Sequence, residues 1–550
     1  MIVGVDGATH EVINPLMACG QLPNFKRICD NGVYGPLRST KHPITPQAWS
    51  SFLTGLNAGK HGVYDFTKRK NDSYDIEFIN ASSRSGETIF AHLSQLGRTV
   101  GSIGVPFTFP PEKVNGFILS GFDAPAEDER SFYPPELYNE IKEKFGNYYI
   151  HLASPIGRQR KEEKKFWLDI QTEDRNKTDI SLYLWEKYPC DFFITHFLNT
   201  DRVQHQYFTK ELEEQLEKGD PDLNNLVIKS YINVDHQLGK LLDAAEADGN
   251  TNVIIMSDHG SGPIKGFFYL NRWLEKQGLF SYLDDRNRAM FNLLEKSRYM
   301  AKRFLPRRAK NLLKSLFPQI KDKMESYRFF NDVDWTQTQA YGFGMYGNIF
   351  INLKGREPDG IISPGREYEE LRDVIIKKLE ALTDPRTREK VIEKVYRREE
   401  LYSGDRVDEA PDLLIAWKNY AYYTSNVPGR EKGECFGALQ KMDSTDYLHI
   451  GTHRLDGIFL AMGPAIKKGK EIQDAHIMDL APTALYALDE EIPENMDGKV
   501  LNQIFNRSFQ NTHTKRFTKK LHGEEEKTVI RYSDEERKEV EERLKGLGYI

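Results

Sequence analysis

The sequence predicts an α/β fold built on a mostly parallel sheet, and three observations carry that expectation. Short β-branched runs alternate with longer amphipathic segments, the pattern of strands alternating with covering helices. Acidic and histidine residues follow or flank several of those runs, where open α/β sheets gather their ligands. No fixed-period repeat is present, which argues against a solenoid.

Taken in order, the expected strands are Ile2 to Val5, Val100 to Gly104, Phe117 to Ser120, Phe192 to His196, Val253 to Met256, Ile349 to Asn352, Leu413 to Ala416 and Gly457 to Ala461. Asp6 ends the first of them and Asp258-His259 follows the fifth. Between Asp284 and Asp334 the composition changes. Arg286, Arg298, Arg303 and Arg307 alternate with Met290, Leu294, Phe304 and Leu313 at helical spacing, and Pro306 and Pro318 divide the stretch into short helices. It reads as an inserted helical cap with a basic face, most simply a solvated surface whose apolar stripe packs on the core; a lid for an anionic substrate and a membrane-surface helix are the alternatives. The tail is polar until Ser533, which with Glu536 forms a capping box before a helix presenting Val540, Leu544 and Leu547. The resulting division is 1–283, first part of the catalytic core; 284–345, the cap; 346–508, second part of the core; and 509–550, a charged tail with a C-terminal helix.

With 550 residues, 39% hydrophobic and 12% aromatic, the chain is long enough for a large globular core with insertions. No run reaches the roughly 18 apolar residues of a spanning helix. A strand directly after Met1 leaves no room for a signal peptide, so a cytoplasmic location is expected. Cys19, Cys29, Cys190 and Cys435 show no metal-binding spacing and read as reduced, mostly buried thiols. A net charge of −6 argues against a stable nucleic-acid complex.

The chemistry lies in seven scattered residues: Asp6, Thr45, Asp201, His205, Asp258, His259 and His453. Three imidazoles, three carboxylates and a hydroxyl match the ligand count of a two-metal hydrolytic site acting on phosphorus. Asp201 and His205 are spaced i,i+4, on one face of a helix. Thr45-Pro46 opens a short helix ending near Gly55, which makes Thr45 the expected N-cap, at the end of the helix that favours an anion.

Val5-Asp6-Gly7, Pro43-Ile44-Thr45-Pro46 with Thr54-Gly55, Gly59-Lys60-His61-Gly62, Asp201-x3-His205, Ser257-Asp258-His259-Gly260, Gly451-Thr452-His453 and Ala481-Pro482-Thr483 occur in one order along the chain. In that order they resemble the alkaline phosphatase superfamily, specifically its type I phosphodiesterase and nucleotide pyrophosphatase branch and the bacterial and archaeal phosphohydrolase-or-phosphomutase proteins within it. The resemblance implies an alkaline-phosphatase-like three-layer αβα sandwich. It implies one divalent metal on Asp201, His205 and His453 and another on Asp6, Asp258 and His259. Thr45 would sit on the second metal as nucleophile and pass through a phosphothreonine ester, with configuration at phosphorus retained. The donor set suits zinc, with manganese or iron as alternatives.

Phosphodiester or pyrophosphate hydrolysis is favoured because Thr stands at the nucleophile position and no Arg accompanies it. The substrate would be small and phosphorylated, nucleotide or lipid-linked. A phosphomonoesterase or phosphomutase uses the same metal set, and a non-catalytic protein binding through its basic cap is the reading from another class. A sulfatase is disfavoured because Thr45-Pro46-Gln47-Ala48-Trp49 lacks the Cys/Ser-x-Pro-x-Arg pattern. Lys41, His42, Tyr346 and Asn348 are candidate substrate contacts. His61 reads as part of a structural turn, Asp235 and His236 as helix packing, and His196 as a satisfied core residue.

Overall fold

The computed structural model describes residues 1–70, 73–150, 160–283, 330, 333–425, 434–437, 450–519 and 529–547, for 160–162 the backbone alone. The basic segment expected as a cap therefore falls almost wholly outside the described residues.

Among the described residues the central sheet has ten strands, and its middle is parallel: Val253–Met256, Ile2–Val5, Phe192–Phe197, Val100–Val105 and Gly116–Ser120 lie side by side in that order. Asp456–Met462 joins Val253–Met256 antiparallel and carries Val33–Arg38 on its other edge, also antiparallel. The strand period of two sorts side chains between two cores. Ile2, Ile254, Met256, Phe459 and Ala461 pack against Ala48, Trp49, Phe52, Ile89, Leu93 and Leu485 on one face. Val3, Val5, Val253, Ile255, Ile458 and Leu460 meet Val12, Leu16, Phe25, Val203, Tyr231 and Leu238 on the other. These are the three αβα layers that the resemblance implies.

Two expected strands lie elsewhere. Asn348–Ile351 and Leu413–Trp417 belong to a separate four-stranded sheet with Ala340–Phe343 and Ile392–Arg397, antiparallel throughout. It has its own core of Trp273, Tyr341, Ile349, Ile375 and Trp417. The hairpin joining Ala340–Phe343 to Asn348–Ile351 turns through Gly344 and Gly347, at φ 89° and 90°, a conformation that glycine adopts without steric cost.

The C-terminal helix Asp534–Leu547 opens with the reciprocal pair Ser533 and Glu536 and buries Val540, Leu544 and Leu547. Its Arg543 donates to the carbonyl of Phe122 at 2.8 Å, tying it to the loop beyond Gly116–Ser120. The four cysteines are unpaired as expected but not buried: Cys19 is exposed and the others are half-buried. Cys19 is the C-cap of the helix His10–Ala18, and its thiol meets the Gly219 carbonyl at 3.7 Å at the surface. Among the described residues, no helix is long and apolar enough to cross a membrane.

Candidate active site

Strand ends, two helices and a two-stranded antiparallel ribbon assemble the seven residues. Asp6 follows the strand Ile2–Val5, and its backbone N–H donates to the carbonyl of Phe197 at 2.9 Å. Gly7 then turns at φ 64°, and a Cβ there would lie 2.7 Å from Asp201 Oδ1, so the chain can pass only as glycine. Asp201 and His205 project from one face of the helix Asn199–Tyr207. Asp258 and His259 follow Val253–Met256. The chain then pairs Gly260–Pro263 antiparallel with Gly451–Arg454, which sets His453 opposite Ser261 and brings a residue almost two hundred positions away into the same pocket.

Two groups of donors result, Asp201, His205 and His453 in one and Asp6, Asp258 and His259 in the other; within each, one ligand atom per residue lies within 4.8 Å of the others. All six side chains are buried. His205 Nε2 is 3.3 Å from Asp201 Oδ2 and 3.0 Å from His453 Nε2. His259 Nε2 is 3.3 Å from Asp258 Oδ2 and 3.5 Å from Asp6 Oδ1. Tetrahedral bonds of roughly 2.0–2.1 Å would place ligand atoms about 3.3 Å apart, so these spacings accommodate an ion.

The imidazoles are oriented for the same role. Nδ1 of His205 faces the carbonyl of Gly451 at 3.2 Å, Nδ1 of His259 that of Gly260 at 3.1 Å, and Nδ1 of His453 that of Pro43 at 2.6 Å. A carbonyl only accepts, so each Nδ1 carries the proton and each Nε2 turns its lone pair into the site. Two such lone pairs facing each other at 3.0 Å, in His205 and His453, call for a cation between them. So do both oxygens of Asp258 and Oδ1 of Asp6, buried without a hydrogen bond.

The electrostatics of the two groups diverge. Burial, then the charges of Asp258 and Asp201, push the Asp6 carboxyl well above the usual range. Asp258 is raised as well, mainly by burial. For Asp201 burial acts in the same direction but is outweighed by His205, His453 and His259, which hold it well below. Burial would lower His205, yet Asp201 beside it raises the ring.

Thr45 departs from expectation in one respect. The helix Thr45–Thr54 starts at Thr45 itself, Ile44 is the N-cap, and no side chain caps the turn. Extended backbone at Ile44 already closes the first turn through the Ala48 N–H to Ile44 carbonyl bond at 2.9 Å. The Thr45 hydroxyl is thus not spent on the helix, and it faces His259 Nε2 at 3.4 Å.

The structure places the other candidates unevenly. Lys41 Nζ donates to Tyr396 Oη at 2.8 Å. His42 stacks on Tyr346, whose ring lies 5.8 Å from His453, and Asn348 is buried at the foot of the same hairpin. His61 is held by Ser51 Oγ at 2.9 Å and receives the Val63 N–H at 3.1 Å, which is structural. Asp235 accepts the N–H groups of Asn24 and Phe25 at a helix start, away from the site. His196 is buried as expected but is more than core: its Nε2 lies in hydrogen-bond contact with Asp6 Oδ2 at 3.0 Å. Only the register that sets Gly4 opposite His196 reveals this, and nothing local in the sequence signals it. Tyr420, edge-on to His42, also went unread.

Residues 1–453 match the profile of the type I phosphodiesterase / nucleotide pyrophosphatase family, ending at the last of the seven residues. The chain belongs to that family. It is a hydrolase of the alkaline phosphatase superfamily. No curated protein matches this phosphodiesterase family member significantly by sequence. Among solved structures it is similar to murine ectonucleotide pyrophosphatase/phosphodiesterase 5, in an inactive Thr-to-Ala form in complex with AMP, at 13% identity and a TM-score of 0.51 over 92% of this chain and 99% of that one. Phosphonoacetate hydrolase from Sinorhizobium meliloti 1021, in complex with phosphonoformate, aligns at 13% identity and a TM-score of 0.54 over 88% of this chain and 95% of that one. These likenesses bear on the fold.

Proposed function

We propose that the protein is a metal-dependent hydrolase that cleaves phosphodiester or pyrophosphate bonds through a phosphothreonine intermediate on Thr45. The observation that carries this is a buried hydroxyl, free of any capping role, held 3.4 Å from the Nε2 of His259 where the two donor groups meet. Asp201, His205 and His453 would hold one divalent ion, and Asp6, Asp258 and His259 the other. Three imidazoles among six ligands suit zinc. Bound there, the ions supply Lewis acidity that lowers the pKa of a hydroxyl and offsets charge on phosphoryl oxygens. Thr45 Oγ1 then forms a bond to phosphorus as the leaving alkoxide departs, and water afterwards breaks the threonyl–phosphate bond to release the acid. Each displacement inverts phosphorus, so the product retains configuration. The first turn of the helix Thr45–Thr54, which no side chain caps, puts the positive end of the helix dipole on the side where negative charge develops. The murine structure that resembles this fold was made inactive by replacing a threonine with alanine and binds AMP, which supports both a threonine nucleophile and a small phosphorylated substrate.

The test is turnover of bis-p-nitrophenyl phosphate against p-nitrophenyl phosphate by zinc-loaded protein, with Thr45→Ala alongside. Diester turnover should exceed monoester turnover, and Thr45→Ala should abolish both while keeping its metal, since it removes the attacking atom. Full activity in Thr45→Ala would end the reading, and a monoester preference would turn it to a phosphomonoesterase.

A further inference from the structure

Next to the charged donors lies a second set of buried groups, uncharged and with several polar atoms unserved. Around His42 the chain is fully engaged: the His42 carbonyl accepts from Thr40 Oγ1 at 3.0 Å and from the Ile44 N–H at 2.9 Å, and the Lys41 carbonyl accepts from Tyr402 Oη at 2.5 Å and from Gln47 Nε2 at 3.2 Å. The imidazole is the exception. His42 is 5% exposed and neither ring nitrogen has a hydrogen bond. Asn348, close enough to the ring for its amide to favour the charged imidazole, is 6% exposed with Oδ1 unserved, and Tyr420, 3% exposed, has an unserved hydroxyl. Buried polar groups without partners are rare, and here several converge.

The walls are aromatic. His42 and Tyr346 stack at 5.6 Å, Tyr420 meets His42 edge-on at 5.9 Å, and Tyr346 and Tyr420 are 5.9 Å apart. The backbone is bent to reach this arrangement: Asn419 and Tyr420 sit at φ 54° and 50°, left-handed values that bulky side chains seldom adopt and that gather at functional sites. Arg454 steadies the bend by donating to the Tyr420 carbonyl at 3.3 Å.

The chemistry of the set narrows what it can bind. Of the bordering cations, Lys41 donates to the Tyr396 hydroxyl and Arg454 to the carbonyls of Tyr420, Thr452, His453 and Pro263, so among the described residues the groups left unserved in this set are neutral. A nucleobase between His42 and Tyr346 would need about 7 Å, twice the ~3.5 Å carbon contact distance. Burial holds His42 down to about 3, so at neutral pH the ring offers one donor and one acceptor and no charge.

We propose that His42, Asn348 and Tyr420, against the wall formed by Tyr346, recognise a neutral hydroxyl-bearing alcohol esterified to the phosphate, of sugar or polyol type, and set the selectivity of the enzyme. This rests on the reading of Thr45 as nucleophile. Hydroxyl groups pair with both donors and acceptors while their carbon faces lie on aromatic rings.

Four p-nitrophenyl phosphodiesters with one leaving group test it: methyl, 2,3-dihydroxypropyl, glucos-6-yl and thymidin-5′-yl, each turned over by zinc-loaded protein. The dihydroxypropyl or glucosyl ester should exceed the methyl ester in kcat/KM by about tenfold or more, since a site built for a hydroxyl rejects the analogue lacking it. Asn348→Ala and Tyr420→Phe should bring that ratio towards one; Tyr420→Phe removes a single oxygen from a ring that stays packed, so folding does not confuse the result. Equal turnover of methyl and polyol esters, preference for the thymidine ester, or a ratio unchanged in both variants would overturn the subsite and leave the Thr45 chemistry standing. Failure to turn over any of the four esters would overturn that chemistry and the subsite with it.

Discussion

The two donor groups share one dry interior and respond to it in opposite ways. Asp201, His205 and His453 pair one carboxylate with two imidazoles, and opposite charges favour each other: Asp201 is held low and His205 high. Asp6, Asp258 and His259 set two carboxylates against one imidazole, and both carboxyls are pushed up. They are also built differently. The second group hangs on adjacent parallel strands whose positions the sheet fixes, whereas the first needs a helix and a ribbon strand supplied by distant sequence. Burial alone therefore does not set a site's charge. The ratio of donors does, and the carboxylate-rich group has more to gain from a cation.

The strongest way to break this comparison is to remove one ligand from each group. Asp258→Ala and His453→Ala should each reduce diester turnover to below about 1%, beyond the roughly 10–100-fold that loss of a mere supporting partner costs. If the groups are separate sites, metal analysis should find each variant short of one ion and still holding the other. Loss of both ions in both variants would show a single interdependent cluster.

A finer test concerns His196, whose Nε2 meets the Asp6 carboxyl from outside the donor set. Its ring meets Trp49 edge-on at 5.1 Å, and Trp49 lies one turn beyond Thr45 on the same helix, so one contact links the carboxylate to the nucleophile helix. Gly4 makes room, since a Cβ there would lie 2.9 Å from both rings. His196→Leu should weaken zinc binding at the Asp6 group by about 10–100-fold, read by competition with a chromophoric chelator, and His196→Gln, which keeps a donor near the Nε2 position, should restore much of it. Equal affinity in wild type and His196→Leu would reduce the ring to packing.

This contact also marks where the sequence stopped being legible. Strands Ile2–Val5 and Val253–Met256 could be read end to end because buried parallel strands are continuous apolar runs, and the donors after them could be read because strand ends are where ligands gather. Asn348–Ile351 and Leu413–Trp417 are equally apolar, and nothing in their residues says that they pair in a second sheet, since sheet membership depends on partners far along the chain. His196 and Tyr420 were missed for the same reason. One is defined by register against Gly4 and the other by a left-handed bend at Asn419 and Tyr420, and neither is a property of neighbouring residues.

The smallest effect expected is in stability, and it separates the two groups by sign. In protein stripped of metal, Asp6 and Asp258 have folded pKa values above the roughly 3.9 of an unfolded Asp, so above about pH 4 the folded state binds more protons than the unfolded one. Their contribution is complete below that pH and is lost as pH rises through the raised folded values. Asp201 is the reverse: its contribution is present above about 3.9 and disappears only as pH falls through its lowered folded value. Asp258→Asn should therefore raise Tm in EDTA at pH 7.5, by about 2 °C or more, with the gain shrinking towards pH 4. Asp201→Asn should lower Tm at pH 7.5, because it strips His205 of its carboxylate. Zinc should reverse the order for Asp258→Asn alone, since the ion rewards the charge that the metal-free interior penalises. If Asp258→Asn destabilised the stripped protein as Asp201→Asn does, like-charge conflict would not be what distinguishes the groups, and the contrast between them would reduce to chain topology.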